Sequence, residues 1–207
     1  MLRTFEQVDV TPKYVGQRIS HQRKAEFGQF MTPASVAHFM ASLFSRPTLQ
    51  TVRLLDAGAG IGSLSSAFVD RFASRAFGFS RIQIAAYEID ANLRLYLTRT
   101  FAEHKSEIPV DCSIHSGDFI EEAVKIILKG GPHFSHAILN PPYKKINSGG
   151  QHRLWLRKVG IETVNMYSAF VALTAELMEP GGEIVAIVPR SFCNGPYYRP
   201  FRELLFA

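Results

Sequence analysis

A short apolar run, Val52-Arg53-Leu54-Leu55-Asp56, leads directly into Ala57-Gly58-Ala59-Gly60-Ile61-Gly62, after which Leu64, Phe68 and Phe72 recur on one side of a helical pattern. Strand, glycine turn and helix in that order predict the first unit of an open α/β sheet. The glycines let the backbone approach a ligand closely, and the N-terminus of the following helix offers unpaired N–H groups to a carboxylate or phosphate. The spacing is Gly-x-Gly-x-Gly. It differs from the Gly-x-Gly-x-x-Gly of dinucleotide enzymes, and no Gly-Lys-Ser/Thr follows to mark a nucleoside-triphosphate loop, so a pyrophosphate is not the expected guest. Taken alone, the same residues would also suit a bare tight turn.

The next apolar run, residues 82–86, ends in Tyr87-Glu88-Ile89-Asp90. Glu88 then stands where folds of this kind place a carboxylate for ribose hydroxyls, while Asp90 reads as the N-cap of a helix carrying Leu93, Leu95 and Leu97. Residues 110–115 alternate like a strand and stop at Gly117-Asp118-Phe119. In an open parallel sheet the strand C-terminal ends converge on one crevice, which would bring Gly58, Glu88, Asp118 and Asn140 together across the sequence.

Asn140 opens the most distinctive tetrapeptide in the chain. The apolar strand Phe-Ser-His-Ala-Ile-Leu at 134–139 ends on Asn140-Pro141-Pro142-Tyr143. Neither proline has a backbone N–H for a ladder and both have a fixed φ, so the strand must end and the loop leaves it stiff. The Asn140 side-chain oxygen and the proline carbonyls form an acceptor-rich site, with the flat ring of Tyr143 beside it. Such a site suits a conjugated NH2 group, whose delocalised lone pair makes it a poor nucleophile. Two acceptors on its N–H groups would favour a pyramidal nitrogen with the lone pair aimed at an electrophile.

The flanking regions add context. Residues 1–29 are polar and basic and read as an N-terminal arm. Thr32 is a plausible N-cap with Pro33 at the first helical position, and Val36, Phe39, Met40 and Leu43 share a face that would be core. After Tyr143, residues 144–160 carry Lys144, Lys145, Arg153, Arg157 and Lys158 without an acidic residue, and include the only tryptophan, Trp155. This predicts a mobile basic loop that could meet phosphates, although a solvated charged loop has the same composition. Beyond it come a helix with Tyr167, Phe170, Val171, Leu173 and Leu177, then Pro180-Gly181-Gly182, a strand over 183–188 and a final helix near Tyr197.

At 207 residues and 46% hydrophobic content, one domain with a substantial core is expected. No apolar run is long enough to span a membrane, residues 1–10 hold no signal-peptide pattern, and the well-separated Cys112 and Cys193 suit reduced thiols in a cytoplasmic protein. No metal site is expected. The formal charge of +5 is compatible with a polyanionic partner without requiring one.

Together these motifs resemble the class I S-adenosylmethionine-dependent methyltransferases, and most closely the N6-adenine DNA methyltransferases of restriction-modification systems with gamma-type motif order. The resemblance covers nearly the whole chain. It implies a Rossmann-like α/β fold, mainly parallel, in strand order 3-2-1-4-5 with helices on both faces, the catalytic domain occupying residues 30–207. It also implies that Phe30, Thr32 and Pro33 help hold the methionine part of S-adenosylmethionine above the Asp56, Gly58, Gly60 and Gly62 turn. Glu88 would take the ribose, Asp118 the adenine amino group and Phe119 the adenine ring, with Ile89 also bordering the cofactor. Asn140, Pro141, Pro142 and Tyr143 match the catalytic motif letter for letter, Asn140 also bordering the cofactor and Tyr143 stacking on a flipped base in double-stranded DNA.

Similar tetrapeptides occur in enzymes that methylate RNA or protein glutamine, and these remain alternatives, as does a non-catalytic remnant. The family continues with an antiparallel hairpin and a target recognition domain, so the chain is expected to be truncated before that hairpin. Its partners would be DNA, a cognate restriction endonuclease or a fused recognition domain.

Overall fold

The computed structural model describes residues 32–46, 49–73, 80–104, 106–131, 133–193, 195 and 199–206. The N-terminal arm expected over 1–29, Phe30 and Tyr197 lie outside them. Among the described residues, five strands form one parallel sheet: β1 (Thr51–Ala57), β2 (Arg81–Tyr87), β3 (Val110–His115), β4 (Phe134–Leu139) and β5 (Met178–Ala186). Their order is β3-β2-β1-β4-β5, as the resemblance implies. The helices among the described residues are α1 (Ala34–Ser42), α2 (Ser63–Phe72), α3 (Ala91–Glu103), α4 (Phe119–Lys129), α5 (Gln151–Arg157), α6 (Met166–Glu176) and α7 (Arg199–Phe206). None is long and apolar enough to cross a membrane.

Strand periodicity divides the core between two faces. On β1, Leu54 packs with Phe68, Phe72 and Leu97 from α2 and α3, whereas its neighbour Leu55 packs with Val124 and Leu173 from α4 and α6. On β4, Ile138 joins the first group while Ala137 and Leu139 join the second. Successive side chains point to opposite faces, so central strands covered by helices on both sides must be apolar at nearly every position. All six residues of β4 are buried. The expected stripe Leu64, Phe68 and Phe72 is buried on α2, and Asp90 caps α3 by accepting from Asn92 N–H at 2.8 Å.

The first helix corrects two expectations. It begins one residue later, with Pro33 rather than Thr32 at the N-cap, because Pro33 keeps an extended ψ of 148°. Its buried face is Ala34, Ala37, Met40 and Ala41, while Val36, Phe39 and Leu43 are exposed, Phe39 at 63%. Small side chains let α1 lie close against α2, and the aromatic filling comes from Phe44, whose ring meets Phe68 edge-on at 5.2 Å.

The fifth strand also differs. It starts at Met178 and runs through Pro180-Gly181-Gly182 instead of beginning at Glu183, and it ends at Ala186. Phe134 pairs with Met178 and His136 with Glu183, so a bulge absorbs the extra residues, helped by Gly181 at φ 80°. The last helix starts at Arg199.

Gly62 joins the turn to α2 at φ 87°, and a Cβ there would lie 2.8 Å from Cδ1 of the fully buried Leu97. Gly62→Ala is therefore expected to destabilise the protein by at least about 1–2 kcal/mol, the cost of a left-handed non-glycine residue, before Leu97 is displaced. Urea denaturation checks this. A midpoint equal to that of the wild type would contradict the packing described.

Candidate active site

At the C-terminal ends of β1, β2, β3 and β4 lies a cavity of about 260 Å³. Its wall includes Gly58 and Gly60 from the turn, Glu88 and Ile89 after β2, Asp118 and Phe119 after β3, and Asn140, Pro142 and Lys144 after β4. The crossover connections of a parallel sheet place these loops side by side, which is how residues 86 positions apart reach one site.

The glycine turn is tied to β2. Gly58 and Ala59 N–H both donate to the Tyr87 carbonyl, at 3.0 and 2.8 Å. Gly58 and Gly60 hold φ of 82° and 59°, which turns the backbone tightly enough for this double contact. Glu88, only 3% exposed, closes the loop: Oε2 accepts from Gly60 N–H at 2.9 Å and Oε1 from Asp90 N–H at 2.7 Å. Burial raises its pKa, and the two backbone donors offset part of that rise. Each oxygen keeps acceptor capacity, so a pair of vicinal hydroxyls is a chemically suitable ligand.

Asp56 and Gly62 lie outside the cavity wall. The Asp56 carboxyl is fully buried; its Oδ2 accepts from Ser65 Oγ, and its Oδ1 has no hydrogen-bond partner. Desolvation, partly countered by the Ser65 hydrogen bonds, pushes it up from an ordinary value near 3.8 to about 7. It supports the turn from beneath.

At the end of β3, Asp118 caps α4, its Oδ1 accepting from Ile120 and Glu121 N–H at 2.9 and 3.2 Å. Burial works against its charge, but the His152 hydrogen bond and charge, together with those two N–H donors, hold the carboxyl below its usual range. Phe119 lies edge-on to Tyr87 at 5.1 Å and 4.9 Å from the ring of Phe170. That leaves an aromatic wall beside a carboxylate, a combination suited to a planar base bearing an amino group.

At the end of β4 the side-chain amide of Asn140 has a defined orientation. Its Nδ2 donates to Thr32 Oγ1 at 3.1 Å, and its Oδ1 accepts from the Tyr143 hydroxyl at 2.8 Å. The same hydroxyl lies 3.1 Å from the Ile187 carbonyl, so one proton serves two acceptors in turn. Partial burial raises the Tyr143 phenol. Thr32 thus meets the site through Asn140, and Pro33, Pro141 and Tyr143 are outside the cavity wall.

The expected mobile loop over 144–160 is a built excursion instead. Met166 N–H donates to the Lys144 carbonyl at 2.9 Å and Ile146 N–H to the Val164 carbonyl at 2.8 Å, with Lys145 and Asn165 forming an antiparallel bridge. Inside this stem α5 packs against α4 through the fully buried Leu156. Its basic residues are engaged. Arg153, whose side chain is 14% exposed, donates to the Thr163 carbonyl and to Glu162, and Arg157 Nε donates to Glu162 at 2.8 Å. Lys158 Nζ sits 3.9 Å from the centre of the Trp155 ring. Glu162 lies two residues beyond the window that looked purely basic, and it claims both arginines. Lys144 lines the cavity and Lys145 is exposed.

Sequence reasoning also missed His152, Met166 and Phe170 in the cavity wall. Phe170 carried a core signal at helical spacing, which it also satisfies; His152 carried none, because its partner lies 34 residues away in the chain.

The Eco57I restriction-modification methylase family model matches residues 80–207. The chain is 50% identical over 212 residues to Type II methyltransferase M.BsuBI of Bacillus subtilis, covering 99% of this chain and 42% of that protein. It is 39% identical over 203 residues to Type II methyltransferase M.PstI of Providencia stuartii, covering 95% and 39%. The chain therefore spans about two fifths of the length of these relatives. Among solved structures, a protein of Listeria monocytogenes assigned to the class I S-adenosylmethionine-dependent methyltransferases superposes with a TM-score of 0.73 at 12% identity, over 98% of this chain and 58% of that one. The methyltransferase subunit of a type I restriction-modification system from Streptococcus thermophilus gives 0.65 at 19% identity, over 85% and 38%. The fold is thus the Rossmann-like fold of class I methyltransferases, and with a family model that takes in everything from β2 onward the chain belongs to the Eco57I restriction-modification methylase family.

Proposed function

We propose that this protein transfers a methyl group from S-adenosylmethionine to N6 of an adenine flipped out of double-stranded DNA, as the modification activity of a restriction-modification system. The observation that carries the reading is that Asn140, opening Asn-Pro-Pro-Tyr, borders the same cavity as the glycine turn, Glu88, Asp118 and Phe119. The names of the relatives support it, both being Type II methyltransferases.

The donor set fits the cofactor. Glu88 would accept from the ribose hydroxyls, Asp118 Oδ2 from the adenine amino group, and Phe119 and Ile89 would pack on the purine, with Gly58 and Gly60 admitting the backbone close to the ligand. Bound there, the cofactor supplies an electrophilic methyl group on a sulfonium. The chain's own task is to prepare the nucleophile. Asn140 Oδ1 and the Pro141 carbonyl accept the two N–H groups of the target amine and draw its nitrogen toward a pyramidal geometry. The Tyr143 hydroxyl now on Oδ1 shares that oxygen or turns to Ile187, and its ring supplies a face for the extruded base. Lys144 and Lys145, at the mouth of the same loop, would meet backbone phosphates; Arg153, Arg157 and Lys158 act in holding α5 in place.

A cognate restriction endonuclease and a DNA recognition region are the partners this reading calls for, and a cytoplasmic location accords with the free thiols Cys112 and Cys193. Tritiated methyl transfer to DNA, RNA and protein tests the proposal, with label expected in DNA. Label confined to RNA or protein would overturn it. Calorimetry tests the cofactor separately: S-adenosylmethionine should bind and NAD should not. Glu88→Ala should weaken binding by about tenfold or more, the scale of one hydrogen bond to a charged group. An unchanged affinity would remove Glu88 from the site.

A further inference from the structure

His152 enters the cavity wall from α5 and belongs to none of the sequence motifs. Its Nε2 lies 2.8 Å from Asp118 Oδ2. Because Asp118 Oδ1 already serves two backbone N–H groups, Oδ2 is the oxygen with capacity for a ligand. A carboxylate oxygen accepts two hydrogen bonds, so Oδ2 can hold the imidazole N–H and an exocyclic amine together. The imidazole contact is charge-assisted, and it stops rotation of a carboxyl group otherwise fixed on one side only.

We propose that His152 is a positioning residue for adenine recognition: it holds Asp118 Oδ2 in place as the acceptor of the 6-amino group, so that purine discrimination depends on α5. This rests on the cofactor assignment made above. The connection is mechanical as well as chemical. Helix α5 is anchored to α4 by Leu156 and joined to the catalytic loop by the Lys144–Met166 and Ile146–Val164 backbone bonds. A side chain on this excursion therefore links the adenine end of the cavity to the loop that carries Asn140. The low pKa of Asp118 supports the arrangement, since it keeps the carboxyl ionised and purely accepting.

The test uses S-adenosylhomocysteine and S-inosylhomocysteine, which differ along one purine edge: a 6-amino group beside an N1 acceptor in the first, a 6-carbonyl beside an N1–H in the second. Hypoxanthine carries a carbonyl there, which would face a carboxylate acceptor to acceptor. Calorimetry on the wild-type chain should favour the adenine ligand. His152→Ala should lose about tenfold in affinity for S-adenosylhomocysteine, the scale of one charge-assisted hydrogen bond, and leave S-inosylhomocysteine binding unchanged. His152→Gln, which can return an N–H donor, should restore most of the preference. Equal weakening toward both ligands, or a preference that survives in His152→Ala, overturns the positioning role. A wild-type chain that binds neither ligand overturns the cofactor assignment itself, and this inference falls with it.

Discussion

Asn140→Ala is expected to slow single-turnover methyl transfer by at least about a hundredfold, the loss typical of removing one preorganised polar group from a reacting centre. The effect should fall on the chemical step, because the proposed role of Asn140 Oδ1 is to accept from the amine that attacks. The substitution also removes the Nδ2 contact to Thr32, which changes the position of that segment without removing the acceptors Glu88 and Asp118. Cofactor affinity should therefore change much less than rate. Rapid-quench measurements under saturating cofactor separate the two, and a variant with a normal chemical rate would refute the role given to the side-chain oxygen.

A second large effect is expected in stability as a function of pH. Asp56 is ionised in the unfolded chain above its ordinary value near 3.8, whereas in the folded protein desolvation holds it protonated up to about 7. The folded state thus binds the extra proton, and stability must fall as pH rises between these values, then level off. The displacement corresponds to a loss on the order of 4 kcal/mol from this group. Asp56→Asn cannot ionise. Its stability should start lower in acid, because a buried amide N–H lacks an acceptor where Oδ1 has no partner now, and it should not show this decline. Glu88, raised in the same direction, titrates in both proteins, so the difference between them reports Asp56 together with the repulsion that the Glu88 charge adds to it. Urea unfolding from pH 4 to 8 gives the difference curve, and parallel curves for the two proteins would contradict the buried state of Asp56.

Much of this arrangement was legible in the sequence because it depends on local signals. The limits of β3 and β4 and the Asp90 cap follow from alternation and turn residues, and the strand order is the one the family resemblance implies. The failures have a common cause in long-range or off-window partners. On α1 two stripes satisfy helical spacing, and hydrophobicity favours Phe39 and Leu43, yet close approach to α2 selects the alanine stripe. The segment after Tyr143 looks like a basic loop until Glu162 is counted, and its anchoring by Leu156 against α4 leaves no mark in composition. In the site, strand-end positions bring Gly58, Glu88, Asp118 and Asn140 to one crevice, and the family resemblance adds Phe119 to the wall that they form. The occupation of Asn140 Oδ1 by Tyr143 and of Asp118 Oδ2 by His152 was not predicted, because side-chain hydrogen bonds depend on rotamers that spacing alone does not fix.

The most direct test of the account is to let the protein modify duplex DNA with labelled S-adenosylmethionine, digest the product to nucleosides and identify the labelled species. Transfer to an exocyclic amine activated by Asn140 predicts N6-methyladenine, absent when Asn140 is alanine. Label in 5-methylcytosine, on a carbon that has no N–H groups for Asn140 and Pro141 to accept, would contradict it.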